Sequence, residues 1–263
     1  MQPTIRILVL SFAATVALPA LAADNPWFGT WKLDTARSHM TGDTFTYSKT
    51  PTGMDHFTNG PMSFDFTANG IDYPTLGNAT TAWVAAGPNQ WKETDKAGGA
   101  VIGTYDIRLT ANCKTMTIVA TGSRPDGTPL HDETVYSKVK SDGCLEGTWK
   151  SIKASQSAPS DYVISQGSAP DTWKWDIPGW KETMEGKLDG SDLTLAGPTV
   201  PSGITICYVA DGAQKLKYQI KSGGTVIDQG EQVLAPGGKT FTDTSWTPGK
   251  ENEKQTWVYN KQK

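Results

Sequence analysis

Histidine, cysteine and long apolar runs are all scarce in this 263-residue chain, and each scarcity closes off a class of function. The three histidines, His39, His56 and His131, stand far apart, with no H-x-x-x-H or H-x-H pair. A zinc site gathers three or four ligands, often at short spacing. These residues therefore read as surface or turn histidines, and no metal or other cofactor is expected. No G-x-S-x-G, no P-loop and no G-x-G-x-x-G ahead of a helix occurs, so the usual signatures of hydrolases and nucleotide sites are missing. Carboxylates are plentiful, yet none is paired in an apolar setting that would tune one of them as an acid. The chain reads as non-enzymatic. Its 24 Lys+Arg are outnumbered by 27 Asp+Glu and mixed among them, the reverse of a nucleic-acid-binding surface.

The continuous apolar stretch is Ile7–Leu18, behind a short polar start with one cation, Arg6, and ahead of Pro19-Ala20-Leu21-Ala22-Ala23. Charge, apolar core and small residues are the pattern of a cleaved export signal, expected here over residues 1–23. The run falls short of the ~20 residues that span a bilayer. The reading is a periplasmic or secreted protein with no membrane-spanning segment after cleavage.

What is abundant points to strands. There are 27 Gly, 16 Pro and 10 Trp, and short alternating segments are broken by Gly, Asn and Asp, which reads as all-β. The chain also repeats itself. Gly29-Thr30-Trp31-Lys32 returns as Gly147-Thr148-Trp149-Lys150, and Val135-Tyr136-Ser137-Lys138 as Val258-Tyr259-Asn260-Lys261. Lys114-Thr115-Met116-Thr117 matches Lys239-Thr240-Phe241-Thr242, in the same order. A long fixed period sets the architecture before any local reading does. It predicts two units, residues 24–140 and 144–263. About eight strands are expected in the first, at Trp27–Leu33, Thr44–Tyr47, Met62–Thr67, Ala79–Ala85, Gln90–Thr94, Val101–Thr110, Met116–Gly122 and Leu130–Lys138. Consecutive strands with short turns favour an antiparallel meander that closes into a barrel or a strongly curved sheet.

The blocks Gly29-Thr30-Trp31-Lys32-Leu33-Asp34, Asp72-Tyr73-Pro74-Thr75-Leu76-Gly77 and the closing V-Y-x-K resemble the lipocalin-like repeats of exported bacterial proteins of unknown role. The resemblance covers nearly all of the first copy. It is looser in the second, where Asp192-Leu193-Thr194-Leu195-Ala196-Gly197 lacks the Tyr-Pro pair. It implies two tandem lipocalin-like barrels and no particular ligand.

Candidate site residues follow from this frame. Trp31 and Trp149 suit the closed end of a barrel as packing residues. Trp173 and Trp175 share one face of an extended segment. Together with Trp180, and with Trp83 and Trp91 of the first copy, they are candidates for contact with a flat, small apolar ligand or else for core. Cys113 lies in the turn before one strand and Cys144 after the strand that returns, which brings both to the same end. A Cys113–Cys144 disulfide is expected, with Cys207 left as a buried free thiol. Asn78-Ala79-Thr80 fits a glycosylation triplet and reads as a chance match. Two roles stay open: a carrier of a small apolar molecule, or an interaction module of the cell envelope with filled barrels. Oligomeric state is not legible.

Overall fold

A computed structural model describes residues 25–157 and 161–263; the expected export signal, 1–23, lies outside them. Among the described residues there are twenty β-strands and no α-helix, in two ten-stranded antiparallel sheets. Each sheet curls nearly closed, so the protein is a pair of tandem barrels. No helix among the described residues is long and apolar enough to cross a membrane.

The first barrel is a meander of β2 (Thr44–Lys49), β3 (Asp55–Asn59), β4 (Met62–Phe66), β5 (Tyr73–Pro74), β6 (Ala79–Gly87), β7 (Gln90–Ala97), β8 (Ala100–Leu109), β9 (Thr115–Ser123), β10 (Pro129–Ser141) and β11 (Gly147–Ser155). The second contains β12 (Asp161–Gln166), β13 (Trp173–Ile177), β14 (Glu182–Gly186), β15 (Asp189–Thr194) and β16 (Ile204–Ala210). It continues with β17 (Lys215–Ser222), β18 (Thr225–Leu234), β19 (Thr240–Trp246) and β20 (Gln255–Lys261). Its tenth strand is β1 (Gly29–Leu33), which lies between β20 and β12. The eight strands expected in the first copy become ten, β1–β10, because residues 44–66 fold into three short strands and the two-residue β5 is added. The turn at Gly60, with φ +57°, separates β3 from β4.

The barrels therefore do not coincide with the sequence repeats. Each G-T-W-K strand sits in the barrel of the other copy. β11 pairs with β10 on one side and with β2 on the other, Trp149 facing Lys138 and Phe45. β1 pairs with β20 and β12, Trp31 facing Lys261 and Tyr162. The repeated blocks are thus contact partners. Lys138 Nζ lies 4.5 Å from the Trp149 ring centroid, and Lys261 Nζ lies 5.2 Å from that of Trp31. Both indoles are fully buried. Each satisfies its N–H on a carbonyl four residues back, Trp31 to Trp27 and Trp149 to Leu145, at 2.8 Å. Each barrel core thus holds one repeated Trp, fully buried, with a satisfied N–H and a lysine on its ring face.

Cys113 and Cys144 are joined in a disulfide, Cα–Cα 5.0 Å, which ties the start of β9 to the β10–β11 connection. Cys207 is a buried free thiol. The barrels also clasp each other through matching turns. The β19–β20 turn reaches the rim of the first barrel, where Lys250 Nζ donates to Asn59 Oδ1 at 2.9 Å and Glu253 accepts from Thr44 N at 2.9 Å. The β9–β10 turn reaches the rim of the second, where the Arg124 guanidinium lies 5.6 Å from the Trp180 ring centroid.

Candidate functional site

Strand alternation decides which side chains enter the first barrel. On β7 it sends Trp91, Glu93 and Asp95 inward; on β6 it sends Thr81 and Trp83. The registers place Trp83 opposite Glu93 and Thr81 opposite Asp95. Tyr105 of β8 lies opposite Glu93 on the other side. Above these residues is a cup of about 400 Å³. Its aromatic wall includes Phe45, Tyr47, Phe57, Phe64, Tyr105 and Tyr136, and Glu93, Asp95 and Thr81 contribute polar groups to it.

Thr81 Oγ1 donates to Glu93 Oε1 at 3.0 Å. Asp95 Oδ1 is buried with no hydrogen-bond partner. Burial, and then the neighbouring Asp95 carboxyl, push Glu93 up to about 8, against the weaker opposing effects of Thr81 and Trp83. Burial raises Asp95 too. Tyr47, Tyr105 and Tyr136 are all raised, chiefly by burial, with the acid pair adding to the first two. This overturns the expectation that no carboxylate pair stands in an apolar setting. The signal was present: once Trp91 is placed inward, the period of two carries residues 93 and 95 inward with it.

The second barrel is built on the same ladders with different contents. Counting from the equivalent Tyr136 and Tyr259, Glu93 corresponds to Tyr218, Asp95 to Ile220, Tyr105 to Gly230 and Ile118 to Asp243. Tyr218 lies across Gly230, where a Cβ would run into its ring and hydroxyl. Its hydroxyl donates to Asp243 Oδ1 at 2.9 Å, and Gln232 Nε2 donates to Asp243 Oδ2 at 2.8 Å. Trp175 stacks on Tyr208 at 4.6 Å and 9°. The interior positions that line the first cup are here taken up by packed rings around one hydrogen-bonded acid. Burial still holds Asp243 up at about 6.

The five candidate tryptophans do not gather at one site. Trp83 is fully buried against Phe66, 4.4 Å between centroids, beneath the cup. Trp91 is half-buried on the same core. Trp173 and Trp175 lie side by side in the core of the second barrel, 5.8 Å apart. Trp180 sits on a 3-10 turn, Pro178–Trp180, in a cleft between the barrels that Tyr105 and Tyr162 also line. Among the histidines, His56 pairs with Asp65 at 2.5 Å, His39 bridges to Thr256 through its backbone, and His131 lies on β10. Among the described residues no three His, Cys, Asp or Glu side chains converge as a metal site would require. Asn78 accepts a hydrogen bond from Ser202 N at 2.7 Å, a contact between the barrels. Comparison of the chain with protein-family models, curated proteins and solved structures finds no match.

Proposed function

We propose that this chain is an exported binding protein that holds a small, largely apolar molecule in the cup of its first barrel. The observation that carries this reading is the contrast between two equivalent interiors. One encloses about 400 Å³ behind an aromatic wall, a size and lining that suit a small-molecule site. The other is occupied at the equivalent positions by Tyr218 and its partners. In this reading the second barrel is scaffold, and its β19–β20 turn steadies the rim of the cup. The Cys113–Cys144 bridge supports an oxidising compartment. Two barrels, each holding one repeated Trp in its core, support the lipocalin-like resemblance. The filled second barrel favours the interaction-module reading for that half of the molecule.

The test is titration of the protein with N-phenyl-1-naphthylamine, a neutral aromatic whose fluorescence rises in apolar surroundings. Saturation at one equivalent is expected, with at least a tenfold loss of affinity in Ile118→Trp, which puts an indole into the cup. No binding, or binding indifferent to Ile118→Trp, overturns the proposal.

A further inference from the structure

We propose that the cup selects an organic monocation, a primary or secondary amine on an aromatic or branched alkyl body, whose ammonium group sits at Glu93 and Asp95. This rests on the reading of the cup as a ligand site and specifies its chemistry.

Among the described residues the acid pair has no positive partner in the cup. None of the side chains lining the cup is cationic. The ionisable groups that face the pair from neighbouring strands are themselves acids: Tyr47 on β2, Tyr105 on β8, Tyr136 on β10, and Asp43 from the β1–β2 connection. Lysines on the flanking positions and at the rim are engaged elsewhere: Lys92 pairs with Asp106 and Lys96 with Asp72. Lys49 Nζ binds Asp55 Oδ1 at 2.7 Å, and Lys250 Nζ binds Asn59 Oδ1 at the rim. A carboxyl group taken out of water is costly unless it is paired or protonated. Thr81 satisfies one oxygen of Glu93, and Asp95 Oδ1, buried, has no hydrogen-bond partner, while the remaining oxygens of the pair interact with Thr81 and with each other. Glu93 is half-buried and lines the cup. An ammonium group supplies what is missing, namely charge and several N–H donors in one compact head.

The walls point the same way. Ring faces attract a cation and accept an apolar body. Among the described residues no three acidic, histidine or cysteine side chains converge in the cup as a hard divalent ion would require. A carboxylate ligand would meet like charge. At neutral pH the empty pair holds a proton, because burial and mutual repulsion favour the protonated form of Glu93. An arriving monocation takes that proton's place, so binding releases it.

Isothermal titration of the disulfide-bonded protein with three ligands on one phenylpropyl skeleton tests this: 3-phenylpropan-1-amine, 3-phenylpropan-1-ol and 3-phenylpropanoate. The amine is expected to bind at least tenfold tighter than the alcohol, the carboxylate weakest of the three. Amine affinity should rise between pH 6 and pH 8.5, with buffer-dependent heats that report proton release. E93Q and D95N, accepted only if their near-ultraviolet circular dichroism matches the parent, should each lose at least tenfold for the amine. Equal affinity for amine and alcohol in the parent protein overturns the cation proposal and leaves the cup as an apolar site. Failure of amine, alcohol and the neutral naphthylamine probe to bind overturns both.

Discussion

Glu93 and Asp95 stand one residue apart on a strand, share one face, and lose their hydration together. The consequence is a pH dependence with a definite sign. Glu93 titrates near 8 in the folded protein against an ordinary 4.5. Between those values the folded state keeps a proton that the unfolded chain has released. Its contribution to stability is complete below pH 4.5 and is lost as pH rises through 8. Asp228 and Asp243, both raised by burial to about 6 from 3.8, act with the same sign over a lower window. Guanidinium denaturation at pH 5, 6.5 and 8.5 should therefore find the protein progressively less stable, with a fall on the order of a few kcal/mol overall. Glu93→Gln should flatten the segment from 6.5 to 8.5 and reduce the fall from 5 to 6.5 to the part that Asp228 and Asp243 carry. An equal fall in parent and variant would contradict the burial of this carboxyl. The pair was within reach of the sequence, because the parity that turns Trp91 inward turns Glu93 and Asp95 inward as well. The partnerless state of Asp95 Oδ1 was not, because it depends on which side chains the neighbouring strands bring to face it.

At the scale of elements, the exchange of β1 and β11 follows from connection lengths. β10 ends at Ser141 and β11 begins at Gly147, so a tight turn folds β11 back along β10 as the adjacent strand. The far edge of β11 then meets β2, with Gly147 opposite Tyr47. That place is thereby taken, and β1, followed by the longer connection of residues 34–43, inserts between β20 and β12. One prediction separates this arrangement from simple tandem folding. A fragment of residues 43–157 contains all ten strands of the first barrel and its disulfide, and should fold alone with a cooperative transition. The sequence repeat, residues 24–140, lacks β11 and Cys144 and should remain unfolded. Circular dichroism and dispersion of amide proton signals decide, and folding of 24–140 with 43–157 unfolded would refute the exchange. Most strands, and the repeat itself, were readable from alternation and turn residues. The exchange was not, because both G-T-W-K segments present the same edge and the same Trp to whichever barrel receives them.

For the whole molecule, the two sheets share no strand, and clasped turns and side-chain contacts hold the barrels against each other. Beyond the Lys250 and Glu253 contacts, Gly77 lies against Ser202, at φ +58° and with so little space that a Cβ would overlap the Ser202 carbonyl oxygen. Scanning calorimetry should therefore find a single transition for both barrels. Gly77→Ala, strained at positive φ and blocked by backbone, should cost about 2 kcal/mol and lower that transition without splitting it. Two resolved transitions in the parent protein would mean that the barrels unfold independently.

Sequence alone determined the class of structure: strand alternation, turn residues and the duplicated blocks point to two antiparallel units, barrels or strongly curved sheets, and the equivalence of the two buried tryptophans follows from the repeat. These are local or periodic properties, carried by neighbouring residues whatever the rest of the chain does. The tertiary structure alone decided which barrel each first strand completes, which interior is filled and which is hollow, and where the two inward acids find themselves. Those outcomes depend on contacts between strands far apart in the chain. Gly230 admits Tyr218 in one barrel, while Tyr105 stands at the matching position in the other, and that exchange of volume separates a packed core from a cup.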